Sequence, residues 1–416
     1  MRDRRNFLRM TGFCLTGSLL KPVSSNSETV ETRNIPVKIG VILPRANQHS
    51  AYPDSFLKGL RLGIGSGKTN TVKTELITES INNGTTLPAQ AAVHRLIKEN
   101  NVDLITGLLS NEVAGRIGKI LKDEEVPALI SNAGENFMLP EVRRNPFLFF
   151  NTLNLFQASF EAGKYMVSKH GKNVCIVTTL ADSGYDTLFA FRKGVEIAGG
   201  SINDTFVFRH NRDNFWDNTI NTIKHRNPDG IFVLLNGKSA DLFLGKIRSH
   251  GLHIPMITTS FAADDNRIKH LGESINGTEH FSSWNQGLKT QANKKFIHAY
   301  QTVYHCLPDQ FGFLGYQSGL LLRNSVNLCA GPPLGIALRN ALEACRIQSP
   351  TGTVSVNKQS GLVKSSVFLC QSRSSNFNLP ENIVLHEFSP DDNLTEIFSL
   401  LETGLHSGFI NPYLFA

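Results

Sequence analysis

The sequence has little excess charge and, beyond its N-terminus, no long apolar segment. Without a run of about 20 apolar residues, no membrane-spanning helix is predicted there. The formal net charge of the 416 residues is +7, of which +4 belongs to residues 1–21. The remaining charge is too small to predict binding to nucleic acid. With 40% hydrophobic and 19% charged residues, the chain is predicted to be globular and long enough for two domains.

The glycine patterns of nucleotide-binding proteins are also missing. Residues 62–69 read LGIGSGKT and end like a phosphate-binding loop, but Leu62 stands where that loop needs glycine. A helix-like stretch precedes these residues and a strand-like one follows, which is the reverse of the required order. After the first predicted strand the chain reads RANQH from Arg45, without the glycines of a dinucleotide site. We therefore predict no nucleotide cofactor.

Patterns typical of catalysis and of metal binding are absent too. No nearby carboxylate or cysteine completes a ligand set for the pairs His250 and His253, or His298 and His305. Ser318, in the sequence GYQSG, stands at the wrong offset for a nucleophile elbow. We predict no catalytic residue, no metal and no enzymatic activity.

Cysteine is scarce. Five cysteines follow the N-terminal segment, at positions 175, 306, 329, 345 and 370. An odd number cannot pair completely within one chain, and their spacing fits no zinc site. Cys175 and Cys370 lie in apolar runs and are predicted to be buried free thiols. A bridge between Cys329 and Cys345 remains an alternative in an oxidising compartment.

The N-terminus carries the pattern of an export signal. Residues 3–9 read DRRNFLR and precede a weakly apolar run at 10–20 that is too short to span a bilayer. The segment resembles a twin-arginine signal, so residues 1–27 are predicted to be a leader and the mature protein to be periplasmic. A disordered basic tail is the alternative.

From Val37 onward, short β-branched runs alternate with helix-like stretches, which is typical of parallel sheets covered by helices. In the helix-like segment 88–100, Ala92, Val93, Leu96 and Ile97 share one face. Strands are predicted at 38–43, 74–78, 102–106, 128–131, 147–151, 174–178, 205–208, 231–235, 256–259, 278–281, 352–356 and 366–369. A long helix-like stretch is predicted at 291–330.

The strands form two series, so the predicted fold class is α/β, with two Rossmann-like lobes joined by a multi-strand hinge. The first lobe is assigned residues 36–153 and 282–345, and the second 154–281 and 346–378. Residues 379–416 are predicted to be a less regular tail that docks on a lobe. Ligands of such folds bind beyond the carboxyl ends of the strands, which points to the cleft between the lobes.

Six short motifs, in this order and spacing, resemble the type I periplasmic solute-binding proteins of the leucine/isoleucine/valine-binding family, from about Val37 to Leu369. The motifs are VKIGVILP at 37–44, VDLITGLLS at 102–110, VPALIS at 126–131, DSGY at 182–185, GLHIPM at 251–256 and PTGTV at 350–354. The resemblance implies the fold described above and a solute-binding function in an ABC importer.

The resemblance also implies a set of ligand-binding residues. First-lobe groups that hold the carboxylate of an amino acid correspond to Ser110, Asn111, Ala133 and Glu135, and a second-lobe aromatic corresponds to Tyr185. Asn111, Glu135 and Phe261 depart from the family pattern, which usually has Ser, Thr and an acidic group at these places. An amino-acid ligand is therefore in doubt. Glu135 either meets an amine of the ligand or turns to solvent, and both interpretations stay open.

Five further residues are candidates from their positions after strands or in the first loop. Arg45 is placed for an anionic ligand, and Tyr52 and Phe261 are placed to stack on or cover a solute. Ser131 and Asn236 add polar groups at strand ends.

We expect a periplasmic protein that binds one small solute, acts with an ABC permease, is a monomer or homodimer, and binds no nucleic acid. A ligand sensor of the same fold and an exported α/β enzyme are the alternatives.

Overall fold

The computed structural model describes residues 36–45, 51–65, 73–82, 85–134, 145–180, 182, 186–208, 213–265, 267–329, 333–375 and 378–390. The predicted leader, at 1–27, lies outside these ranges. Within them, no helix combines the length and the apolar character that crossing a membrane requires.

A parallel five-stranded sheet comes first in the chain. Its strands are β1 (Val37–Arg45), β2 (Thr74–Asn82), β3 (Leu104–Leu108), β4 (Ala128–Asn132) and β5 (Leu148–Thr152). The strand order is β2-β1-β3-β4-β5, and every residue of β3, β4 and β5 is buried, because helices cover both faces. The accompanying helices are α1 (Ala51–Gly65), α2 (Thr86–Lys98) and α3 (Asn111–Asp123). Ala92, Val93, Leu96 and Ile97 of α2 are buried, as predicted.

A second series of strands and helices follows. The strands are β6 (Asn173–Thr179), β7 (Ser201–Phe208), β8 (Gly230–Leu234), β9 (Met256–Thr259) and β10 (Glu279–Ser282). The helices are α4 (Leu155–Lys169), α5 (Asp186–Ile197), α6 (Asp213–Arg226), α7 (Gly237–Ser249) and the short α8 (Ile268–Leu271), with a 3-10 turn at Gly272–Ile275. These five strands pair in parallel.

The chain then forms α9 (Gln291–Tyr304), α10 (Gln310–Leu328) and α11 (Gly335–Glu343), followed by a small antiparallel sheet of β11 (Arg346–Ser349), β12 (Gly352–Val356) and β13 (Val363–Lys364). The helix-like stretch predicted at 291–330 is therefore two helices. Pro308 lies between them, and the Asp309 carboxylate caps α10 by accepting a hydrogen bond from the Gly312 amide at 2.7 Å.

Two antiparallel strands complete the second sheet. They are β14 (Val367–Ser375) and β15 (Asn378–Phe388), and the order of the seven strands is β15-β14-β10-β9-β8-β6-β7. The predicted α/β class with two parallel sheets is confirmed, and each predicted strand lies at or beside an observed one. Residues 379–388, predicted as the start of a less regular tail, belong to this edge strand instead. Edge strands tolerate the proline at position 380, which hid this strand in the sequence.

Glycines allow α1 and α10 to pack with their backbones in contact. A Cβ added to Gly315 would lie 2.0 Å from the Phe56 carbonyl oxygen, and one added to Gly63 would lie 2.3 Å from that of Tyr316. Gly63, in the glycine-rich end of α1, is thus used for helix packing.

The chain passes between the two sheets three times, near Leu153, Ser283 and Ser365, and hydrogen bonds join these crossings. The Ser283 hydroxyl donates to the Leu153 carbonyl, and the Asn154 amide donates to Ser365 Oγ at 2.7 Å. The predicted lobe bounds stay a prediction. In the structure, β11 contacts α10 and β13 contacts β5, so residues 346–364 lie beside the first sheet rather than the second.

The five cysteines in the described part of the chain are free thiols. Cys175 and Cys370 are buried, as predicted, and burial raises the pKa of Cys175 to about 12. Cys329 and Cys345 are not bridged in this structure. Their Sγ atoms donate to the carbonyl oxygens of Ser325 and Leu321, which lie one turn apart on α10.

Candidate functional site

At the carboxyl edge of the first sheet, two buried asparagines form a fixed polar group. Asn132 Nδ2 donates to Asn111 Oδ1 at 2.8 Å and to the Leu109 carbonyl at 3.2 Å, while Asn132 Oδ1 accepts from the Gly134 amide at 2.9 Å. Asn111 is 1% exposed. Because Asn132 holds it, the Asn111 side chain keeps one orientation at the end of β3.

Ser110 and Ala133 complete this edge. The Ser110 hydroxyl caps α3 by accepting from the Val113 amide at 3.3 Å, so the partial positive charge of the helix start lies at the edge. The Ala133 carbonyl accepts from the Leu155 amide at 2.9 Å. The structure therefore brings Ser110, Asn111 and Ala133 together at this edge, and their role in ligand binding stays a prediction.

Ser131 lies apart from that group. Its hydroxyl is 3.0 Å from Ser318 Oγ on α10, and Ser318 also accepts a hydrogen bond from Asn151 at 2.9 Å. Gln317 donates in turn to Asn151 Oδ1 at 2.7 Å. Ser131 is fully buried, so in this structure its hydroxyl joins the sheet to α10 rather than facing a cleft.

The carboxyl edge of the second sheet carries a chain of hydrogen bonds across three strands. Asp182 accepts from Thr179 Oγ1 at 2.7 Å and from Asn236 Nδ2 at 2.8 Å, and Asn236 Oδ1 accepts from Thr259 Oγ1 at 3.2 Å. Asp182 is 6% exposed. The predicted residue Asn236 is therefore held between a carboxylate and a hydroxyl.

An aromatic group joins the two edges. Tyr52 of α1 stacks on Phe311 of α10 with ring centroids 4.4 Å apart, and Phe261, after β9, lies 6.4 Å from Tyr52 and 6.0 Å from Phe311. Burial and the nearby carboxylates of Asp264 and Asp309 raise the pKa of Tyr52 well above its usual range. Tyr52 and Phe261, which were predicted separately, are in the same group.

Three predicted residues cannot be placed. Glu135 and Tyr185 lie outside the described residues, as does the side chain of Arg45, whose backbone ends β1. The two interpretations of Glu135 remain predictions for the same reason.

Sequence reasoning missed Asn132, Asp182 and Phe311 as site residues. Asn132 directly follows Ser131 at a strand end, and Asp182 opens a motif that was used only for the resemblance, so both had a positional signal. Phe311 lies inside a helix-like stretch and had none. Its place beside Tyr52 depends on the packing of α10 against α1.

The chemistry of these edges is that of hydrogen bonding and apolar contact. The searched ranges of the chain contain no group of three His, Cys, Asp or Glu side chains that could hold a metal ion. One cavity, of about 140 Å³, lies elsewhere, at the amino end of β5 beside Leu148 and Gly361. The Arg339 guanidinium at its wall already donates to the Pro146 carbonyl and pairs with Glu343.

Comparisons with known proteins give one consistent result. A family model described as periplasmic binding protein matches residues 36–376. A Leu/Ile/Val-binding protein homolog from Brucella abortus is 20% identical over 341 residues, which cover 80% of this chain and 86% of that protein.

Solved structures share the fold. An ABC transporter substrate-binding protein from Sphaerobacter thermophilus superposes with a TM-score of 0.77 at 23% identity, covering 87% of this chain and all of that one. A solute-binding protein from Rhodopseudomonas palustris, solved with 3,4-dihydroxybenzoic acid, gives a TM-score of 0.73 at 20% identity and covers 87% and 99% of the two chains.

Proposed function

The chain belongs to the periplasmic binding protein family, and we propose on that basis that it captures one small solute between the carboxyl edges of its two sheets and delivers it to an ABC importer. The observation that carries this proposal is the pair of hydrogen-bonded polar edges, joined by aromatic side chains from both halves. Polar groups that are already fixed lose little freedom when a ligand binds, which favours affinity.

We assign the solute contacts by position. On the first edge they are Ser110, Asn111 and Ala133, with the start of α3 favouring an anionic group. On the second edge, Asn236 contributes its amide, while Tyr52 and Phe261 form the apolar wall. Arg45, Glu135 and Tyr185 complete the proposed set. Ser131 supports this set without touching the solute, because its hydroxyl is bonded to Ser318 on α10.

Two classes of solute fit this site. The name of the Brucella relative points to branched-chain amino acids, and the ligand of the Rhodopseudomonas structure points to aromatic acids. The stacked rings of Tyr52 and Phe311, with Phe261 beside them, support the aromatic acid, since offset or edge-on ring contacts add to the affinity for a flat apolar ligand.

The proposal includes export. The DRRNFLR segment at 3–9 and the short apolar run after it support a twin-arginine leader and a periplasmic mature protein that meets its permease at the membrane. Fractionation of cells that express the chain with Arg4 and Arg5 both changed to Lys tests this step. Loss of the periplasmic pool supports twin-arginine export, and an undiminished pool contradicts it.

Thermal unfolding with added solutes tests the binding function. We expect 3,4-dihydroxybenzoate, benzoate, leucine or valine to raise the midpoint by several degrees at concentrations well above Kd, because a ligand that binds only the folded state stabilises it. Putrescine represents the amine class of solutes in the same experiment. Asn111→Leu should abolish the shift, whereas Ser131→Ala should keep it. If no solute class shifts the midpoint, the proposal is wrong.

A further inference from the structure

The turn that carries Phe261 is anchored firmly to the second sheet. Thr259 Oγ1 accepts from the Ala262 amide at 3.3 Å while it donates to Asn236. On the other side, Asn382 of β15 donates to the Ala263 carbonyl at 2.7 Å and to Asp265 at 2.8 Å. Because both flanks are bonded, the Phe261 side chain is a fixed projection of the second sheet.

That projection packs into the first half of the molecule. Phe261 is 5% exposed and belongs to the same apolar core cluster as Leu43 and Leu108 of the first sheet. Tyr52 and Phe311, the rings that it meets, lie on α1 and α10. Helix α10 is itself bonded to the first sheet, since Asn151 of β5 donates to the Leu314 carbonyl.

A hydrogen bond accompanies the ring contact. Gln310, the first residue of α10, donates from Nε2 to the Ser260 carbonyl at 2.8 Å, and both residues are buried. Gln310 and Ser260 are each next to a ring of the cluster in sequence. At this place the two halves therefore meet through one hydrogen bond and through the contacts of Phe261 with two rings, all of them between protein side chains or backbone.

We propose that Phe261 and the Gln310–Ser260 hydrogen bond form a clasp that holds the two halves together in the solute-free protein. A contact that exists only when the halves are close shifts the population toward the closed form. The clasp thereby sets how much of the protein is closed before a solute arrives, and Phe261 and Gln310 are positioning residues in this role.

The distance between two spin labels in the solute-free mature protein tests the clasp. Labels are placed at Leu87→Cys on α2 and Leu242→Cys on α7, which are exposed residues of the two halves, in a Cys306→Ser, Cys329→Ser background. The protein is unfolded, dialysed and refolded to remove any bound solute. We expect Phe261→Ala to raise the open-to-closed ratio roughly three- to tenfold, as the loss of an aromatic pair predicts.

Two further variants make the result decisive. Gln310→Met removes the hydrogen-bond donor with little change in volume and should also raise the open fraction. Phe243→Ala, the matched control, deletes a ring that is fully buried within the second half and should lower the unfolding midpoint without changing the label distance. If the clasp variants keep the parent distance, or if Phe243→Ala lengthens it equally, the proposal is wrong. Since no solute is present, that failure leaves the proposed binding function untouched.

Discussion

The two sheets have similar architecture but bury different chemistry. Strands β3, β4 and β5 of the first sheet are fully buried and carry only uncharged side chains. In the second sheet, β10 buries the consecutive residues Glu279 and His280. Glu279 accepts from Tyr165 at 3.0 Å and pairs with His170 at 2.9 Å, while His280 Nδ1 has no hydrogen-bond partner.

The second sheet therefore buries a titratable imidazole, that of His280, in its interior. Burial lowers the pKa of His280 to about 3, so the folded second half keeps this imidazole neutral over most of the acidic range. The first sheet uses neutral amides and hydroxyls in the corresponding interior. We therefore expect acid to weaken the second half first.

The largest expected effect concerns glycines that allow close helix packing, which both halves contain. Gly315 lets α10 approach α1, and Gly194 lets α5 approach α4, where an added Cβ would lie 2.1 Å from the Phe160 carbonyl oxygen. Gly315→Ala and Gly194→Ala should each reduce the free energy of unfolding by ~4 kcal/mol, since a backbone must move in both cases. Denaturant unfolding measures the loss.

Gly245→Ala is the matched control for both glycine variants. Gly245 lies within α7 and has open space around its missing Cβ, so alanine there should stabilise by up to ~1 kcal/mol. A loss confined to Gly315→Ala or to Gly194→Ala would show that only one half depends on close helix packing.

The second prediction is acid sensitivity from His280. In the unfolded chain, His280 has its ordinary pKa of 6.5. Between about pH 6.5 and 3, the unfolded chain therefore binds a proton at this residue that the folded chain does not bind. The contribution of His280 to the free energy of unfolding is therefore fully present above that pH range. It decreases as the pH falls, by up to ~3 kcal/mol at pH 4. His280→Leu should remove this part of the pH dependence, and the exposed His253→Gln should not. Equal slopes for the wild type and His280→Leu would contradict the assignment.

The third prediction concerns Asn132, whose side-chain amide is buried in the first half. Asn132→Ala removes three hydrogen bonds, one of them to Asn111 Oδ1, and should cost ~2 kcal/mol of stability without changing the pH profile. Unfolding curves at pH 7 and pH 4 check both points. A new pH dependence in this variant would break the contrast between the two sheets.

The smallest effect is expected for Ser131. Ser131→Ala deletes one hydroxyl contact to Ser318, which should cost ~1 kcal/mol. Solute affinity should stay within about twofold, well below the cost of removing a direct hydrogen bond. Titration calorimetry with the best stabilising solute measures it, and a tenfold loss would return Ser131 to the set of solute contacts.

Much of the fold was predictable because its signals are local. The β-branched runs at Val37, Val174 and Ile231 each became a strand, since a buried parallel strand needs a continuous apolar run. Residues 378–388 were missed, because an edge strand pairs on one side only and tolerates polar residues and proline. The break in the 291–330 stretch had a local signal in Pro308 that the apolar pattern around it concealed.

The candidate site was predictable only in part. Ser110, Asn111 and Ala133 follow strands, and the carboxyl ends of parallel strands meet at one edge, so their proximity follows from position. The direction of the Ser131 side chain depends on α10, which lies more than 180 residues further along the chain. No local pattern contains that information.

The α/β class, the order of the strands along the chain and the edge where polar groups collect can all be derived from the sequence, because they follow from short-range periodicity. Two features became visible only in the folded chain: Phe261 of the second half packs on Tyr52 and Phe311 of the first, and Ser131 faces inward. Such contacts join residues far apart in the chain, and they arise from how whole helices and sheets pack, which residue types and spacing do not specify.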